Sequence, residues 1–152
     1  MNYWLFKSEP DVFSIEHLSK MKKQTSMWDG VRNYQARNYM RDGTKPGDLL
    51  FFYHSSCPQP GIAGIAEIAS TPYPDPTQFN PESEYYDPKA TADVPRWVTV
   101  DVKLKEIFNE IVSLPELRAN PKLEELALLQ RGTRLSIIPV SAAHWKAIMA
   151  MR

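Results

Sequence analysis

Cysteine is almost missing from this chain: Cys57 is the only one among 152 residues, so neither an internal disulfide nor a cysteine-based zinc site can form. Such usage suits a reducing compartment, and a cytoplasmic protein is the expectation. Long apolar runs are missing too, as is a basic leader followed by an apolar stretch, so neither a membrane span nor a processed export signal is expected. Histidine is scarce, with three copies dispersed at His17, His54 and His144, a distribution that gives no metal-ligand pattern. The chain has no phosphate-cradling glycine loop, no paired carboxylates at a fixed helical spacing and no internal repeat. No metal or cofactor is expected. Excess charge is also lacking: the formal net charge is zero, which argues against coating nucleic acid by charge alone.

What is present describes an ordinary globular chain, 43% hydrophobic and 24% charged, close to the averages for soluble domains. The length fits one domain over residues 1–152, with about two-thirds of the unfolded surface buried. Charge is unevenly placed. Between Lys20 and Lys45 there are seven basic residues and two acidic ones, which leaves the rest of the chain acidic by five.

Inside that basic region lies the densest cluster of chemistry, residues 27–38: Met27-Trp28-Asp29-Gly30-Val31-Arg32-Asn33-Tyr34-Gln35-Ala36-Arg37-Asn38. Trp28 can stack on a flat ring, Asp29 and Asn33 can bond ring edges, Gly30 lets the backbone turn, and Arg32 and Arg37 can meet an anion. These are the parts a nucleobase and its phosphate require. A buried Trp beside a capped helix is the structural alternative, in which Ser8 and Asn33 serve as caps rather than ligands.

Around it the pattern predicts a first strand at 2–6 that ends in the polar tip Lys7-Ser8 before Pro10. Ser14 is placed to cap a short helix to Lys20, and a second helix is expected over 33–41, closed by Asp42-Gly43. The run Leu49-Leu50-Phe51-Phe52-Tyr53 is apolar on both faces and reads as a central strand with a second polar tip, His54-Ser55. Residues 61–69 read as its hairpin partner, with Gly64 at a bulge or a close backbone approach. The proline-rich stretch 70–95 is a long loop of the kind that often carries function. Alternation over 96–104 predicts a strand with Val98, Val100, Val102 and Leu104 inward and Trp97 on the other face. A capping box at Ser113, a helix from Asn120-Pro121 to Gly132, a last strand at 135–140 and a terminal helix capped by Ser141 complete the prediction. Trp4 and Trp145 read as packing. The fold class is α+β: a mixed, curved, barrel-like sheet with flanking short helices. If the strand ending at Phe6 lies beside the one ending at Tyr53, then Lys7-Ser8, His54-Ser55 and the Trp28 loop converge on one pocket.

Three motifs give the chain a family likeness: Tyr3-Trp4-Leu5-Phe6-Lys7-Ser8-Glu9-Pro10, the 28–38 stretch, and Gly47-Asp48 followed by Phe51-Phe52-Tyr53-His54-Ser55. Pro60-Gly61-Ile62-Ala63-Gly64, Tyr86-Asp87-Pro88, Pro95-Arg96-Trp97 and Arg134-Leu135-Ser136 continue it. In these motifs the sequence resembles the EVE domain, over nearly its whole length. The resemblance implies a PUA-like fold related to the YTH domains and a pocket for a modified base, modified cytosine in DNA foremost. Lys7-Ser8 and Trp28 are similar to the YTH positions that contact the base; Tyr53, Tyr86 and Trp97 are candidates for further cage walls.

The expected function is therefore a non-catalytic reader that holds a flipped-out modified base in DNA, or in RNA. Lys7, Ser8, Trp28, Asp29, Val31, Asn33, Tyr53, His54, Ser55 and Trp97 are its candidate base-binding residues, and Arg32 and Arg37 its phosphate contacts. The rival is a nucleotide- or RNA-processing enzyme that uses Lys7, Asp29 and His54 as acid, base or nucleophile.

Overall fold

Successive strand side chains point to opposite faces, and the first strand shows the consequence: Trp4 and Phe6 enter one buried cluster while Leu5 enters a second. The computed structural model, which describes every residue from Met1 to Arg152, sets these clusters on the two faces of one sheet. Its strands are β1 (Tyr3–Ser8), β2 (Thr25–Met27), β3 (Leu49–His54), β4 (Gly61–Ile68), β7 (Asp101–Ser113) and β8 (Ile137–Val140), in the order β2-β7-β4-β3-β1-β8. Only β1 and β3 run parallel. Two short strands, β5 (Tyr73–Pro74) and β6 (Val98–Thr99), pair apart from the main sheet. The helices are short: α1 (Ile15–Lys20), α2 (Tyr34–Asn38), α3 (Leu114–Ala119) and α4 (Ala142–Met149). This is the mixed α+β architecture with a curled, half-barrel sheet that the sequence implies.

The β1–β3 register pairs Phe6 with Phe52, Lys7 with Tyr53 and Ser8 with His54. The two polar tips therefore lie side by side, tied by the Ser55 N–H donating to the Ser8 carbonyl at 2.9 Å. Strand β4 returns beside β3 as a hairpin, with Ala63 as the extra residue of a bulge opposite Phe52 and Tyr53. Gly64, next to that bulge, is the close backbone approach, because a Cβ there would collide with the Glu106 carbonyl of β7 and with Ile15. Asp48, nearly buried after the Gly47 turn, accepts from the Asn2 N–H, the Trp4 indole N–H and the Lys45 N–H. On the second face Trp145 of α4 stacks on Phe51 at 3.8 Å and on Tyr3 at 4.6 Å.

Two sequence expectations need correction, and a third point is decided. The strand expected at 96–104 is interrupted at Val100, and β7 then runs on to Ser113, held by β4 through two register shifts. The face that carries Trp97 is itself covered, by loop 70–95 and Tyr34, leaving the residue 6% exposed. The helix expected from Asn120 to Gly132 is two separate 3-10 turns, Pro121–Leu123 and Ala127–Leu129, with Leu126 extended between them. Leu123, Leu126 and Leu128 are all buried, and residues five apart lie on different sides of a helix, so a continuous one would leave a leucine in water. Burial outweighs propensity there.

Candidate nucleic-acid interface

The Trp28 loop enters the fold between β2 and α2, and the Trp28 N–H donates to the Val100 carbonyl at 2.8 Å. The indole meets Phe6, Phe13 and Phe52 edge to face, with centroids 5.2–6.1 Å away. This packing leaves Trp28 only 6% exposed. Its ring is thus a wall held by the first core rather than the open stacking platform that composition suggests. Its indole N–H is different: it has no partner in the chain, yet no buried side-chain nitrogen or oxygen is left unpaired. The N–H must therefore reach solvent, and the cleft that Trp28 lines has a volume of about 540 Å³.

That cleft gathers Lys7, Ser8, Trp28, Asp29, Val31 and Arg32 from the sequence-expected set, with Glu9, Val12, Phe13, Met27, Glu84 and Tyr85. Gly30 stands at φ +82°, where a side chain is strained, and a Cβ would lie 2.6 Å from the Tyr85 ring. The glycine is needed both for the turn and for the close seat of Tyr85. Asp29 lies at the mouth of the cleft, and no other residue bonds its carboxylate. Desolvation, and then the nearby Asp75 charge, raise its pKa, while its own backbone N–H and Arg32 oppose the shift. Burial lowers the pKa of Lys7. The Ser8 hydroxyl donates to the Phe13 carbonyl at 2.7 Å and keeps its lone pairs for a ligand.

The remaining candidates are placed elsewhere. Arg32 touches the cleft, but its guanidinium donates to the Tyr85 carbonyl at 2.7 and 3.2 Å, to Asp75 at 3.2 Å and to Thr77 at 3.2 Å. It clamps loop 70–95 against the Trp28 loop and has no free fork for phosphate. Arg37 likewise donates to the Arg96 carbonyl at 2.9 Å and to Asn38. Asn33 caps α2 through the Ala36 N–H at 2.9 Å. Trp97 stacks on Tyr34 at 4.8 Å and donates its indole N–H to Asp87 at 2.8 Å, outside the cleft. Tyr86 does not line the cleft either.

Strand parity separates the other three. Tyr53 alternates with Phe52 and belongs to the opposite face, where it and Ser55 line a different cleft. His54 does share the face of Phe52, but α1 covers it: the Ile15 N–H donates to His54 Nε2 at 3.1 Å. An accepting Nε2 must be unprotonated, and burial lowers the pKa of this imidazole from 6.5, with Glu16 opposing weakly. The folded pKa is thus below the unfolded one. Stability from this contact is complete above about pH 6.5 and is lost as pH falls through the folded pKa. Unfolding measured from pH 8 to pH 5 should fall less steeply for His54→Gln, which accepts the same N–H without titrating; parallel curves would refute this assignment.

Several site residues carry no mark in the sequence. Asp75 is fully buried and accepts from Gly30 N–H at 2.8 Å, Arg32, Thr77 N–H at 2.8 Å and the Thr77 hydroxyl at 2.6 Å. Gln78, also fully buried, donates to the Asp75 and Trp97 carbonyls and accepts from the Arg96 and Trp97 N–H groups. Polar bonds, more than its aromatics, hold loop 70–95 in place. Asp75-Pro76-Thr77 does have the form of a capped turn with Pro at its first position, which is the one available signal. Tyr85 has none.

No helix is long and apolar enough to cross a membrane, and no group of three His, Cys, Asp or Glu side chains comes together to hold a metal. Among known proteins, mouse thymocyte nuclear protein 1 is 41% identical over 99% of this chain and 73% of its own length. A Pseudomonas syringae crystal structure superposes with a TM-score of 0.94 at 51% identity, covering 98% of both chains. The structure of human THYN1 in complex with 5-methylcytosine containing DNA also superposes with a TM-score of 0.94, at 40% identity and over 99% of this chain and 97% of that one. The family model for the EVE domain matches residues 2–151, and the chain belongs to the EVE domain family.

Proposed function

We propose that this protein is a one-domain, non-catalytic reader that holds a modified cytosine of DNA in the Trp28 cleft. The observation that carries it is the pairing, in one cleft, of a Trp28 indole N–H without a partner in the chain and an Asp29 carboxylate that no other residue bonds. A cytosine edge needs both polarities: the N4 amino group donates, which suits a carboxylate, and O2 and N3 accept, which suits the indole N–H and Lys7. The volume, about 540 Å³, is within the range of small-ligand sites. Val12, Phe13, Met27 and the Tyr85 ring supply apolar surface, on which a C5 methyl group is worth about 0.8 kcal/mol. The binding of 5-methylcytosine DNA by the THYN1 structure supports the same ligand class.

Extraction of a base from its stack costs a few kcal/mol, so the reading predicts tighter binding where the base is already unpaired. The enzymatic alternative would need Lys7, Asp29 and His54 to meet. His54 instead lies under α1 with its Nε2 bonded, which favours binding without turnover. The cytoplasm is the proposed place of action, consistent with a single cysteine.

Fluorescence anisotropy with matched oligonucleotides tests the reading. Wild type should bind 5-methylcytosine DNA more tightly than unmodified DNA. Asp29→Ala should weaken the modified complex by about 1–3 kcal/mol, the value of a base-edge contact. Equal binding of the two DNAs by wild type refutes it, as does time-dependent product that is lost in Lys7→Ala. An RNA arm decides the polymer: tighter binding to 5-methylcytosine RNA would transfer the assignment from DNA to RNA.

A further inference from the structure

With Arg32 and Arg37 bonded internally, phosphate contacts must come from elsewhere, and the charge around the Trp28 cleft makes this more pressing. Glu9, Asp29 and Glu84 all line it, so its walls suit a neutral base and repel a phosphate. On the other side of the β1–β3 tips lies a second cleft of about 640 Å³ with the opposite character. It is lined by Lys7, Arg118 and Arg131 and by no acidic residue. None of these three cations makes an ion pair or donates a side-chain hydrogen bond within the chain.

Tyr53 gives an independent pointer. The residue is buried, with 3% of its surface exposed, and its hydroxyl has no partner in the chain. Because no buried side-chain oxygen is left unpaired, that hydroxyl keeps some access to solvent, and the cleft that Tyr53 lines is the second one. A buried phenol kept in place by core packing, in a cleft that three unpaired cations also line, has the chemistry of an anion site. Lys7 lines both clefts, so the two adjoin along β1.

Resting on the reader function above, we propose that the second cleft grips the backbone phosphate next to the base held in the first. Arg118, Arg131 and the Tyr53 hydroxyl are the donors, and Lys7 is the shared wall. The base cleft then supplies selectivity, and the phosphate cleft supplies affinity without sequence preference.

The salt dependence of oligonucleotide binding tests this directly. For single strands, each phosphate contact removed lowers the slope of log K against log salt by about 0.7. Arg118→Ala combined with Arg131→Ala should flatten the slope by about 0.7, the share of the one phosphate they hold together, and Tyr53→Phe should weaken binding with little change in slope. In every variant the ratio of modified to unmodified binding should hold. Arg118 and Arg131 are exposed, so the double variant should fold, as circular dichroism will verify. An unchanged slope in a folded double variant overturns the phosphate assignment, even if wild type prefers the modified base. A flattened slope without any such preference upholds the phosphate cleft and refutes the base reading instead. Inorganic phosphate provides the last arm: saturation of Tyr53 resonance shifts below millimolar phosphate, with the oligonucleotide slope unaffected by the double variant, would assign the cleft to a free anion and overturn the backbone role.

Discussion

Asp75→Ala should lower the unfolding free energy by about 3–5 kcal/mol, the usual loss when one member of a buried charge pair is removed. The size follows from what one carboxylate holds. Its four contacts are the Gly30 N–H, the Arg32 guanidinium and the two donors of Thr77, at a side chain with no exposure, facing an arginine that is 23% exposed. Deleting it leaves the Gly30 N–H desolvated without its acceptor and the Arg32 guanidinium without its counter-charge. Asp75→Asn keeps the volume but loses the charge, so it should fall between wild type and alanine. Denaturant unfolding checks this through a lower midpoint at unchanged m. A loss below about 1 kcal/mol for the alanine variant would mean that Asp75 is not the pin of loop 70–95. Because the same pin seats Tyr85 over Gly30, binding of modified DNA should weaken along with stability.

Trp28→Ala should be equally damaging, by about 3–5 kcal/mol, since a large aromatic is removed from among Phe6, Phe13 and Phe52. Loss of binding in that variant could simply follow loss of fold. Trp28→Phe separates the two: it keeps an aromatic ring in the first core but deletes the N–H that faces the cleft. The expected result is a folded protein with a smaller stability loss and a marked drop in affinity for 5-methylcytosine DNA. Unaltered affinity in Trp28→Phe would show that the indole N–H does not read the base, and would return Trp28 to a purely structural role.

These predictions rest on residues of unequal legibility. The convergence of Lys7-Ser8 with the Trp28 loop could be read from motif and strand pattern, because polar tips after apolar runs mark strand ends. Asn33 was open to two roles, ligand or cap, and the structure uses it as a cap. Tyr53, His54 and Ser55 are adjacent in sequence and were grouped into one pocket, but alternation divides them: Tyr53 serves one face and His54 the other. That division could have been drawn from period-two geometry alone. The engagement of Arg32 could not, for its partners Asp75, Thr77 and Tyr85 lie 43 to 53 positions away.

By itself, then, the sequence determines β1, β3 and β4, the helix caps at Ser14, Ser113 and Ser141, and the turn of the Trp28 loop. These follow from local rules: side-chain periodicity, proline and glycine geometry, and side-chain caps act within a few residues. Tertiary structure alone decides which arginines are free. Arg32 and Arg37 stand within and beside the Trp28 loop yet are bonded inward, whereas Arg118 and Arg131, far along the chain, line an open cleft without partners. The reason is physical. A charge near a core is stable only when its hydrogen bonds are met, and whether another segment of chain or a ligand meets them depends on how the loops fold over the sheet.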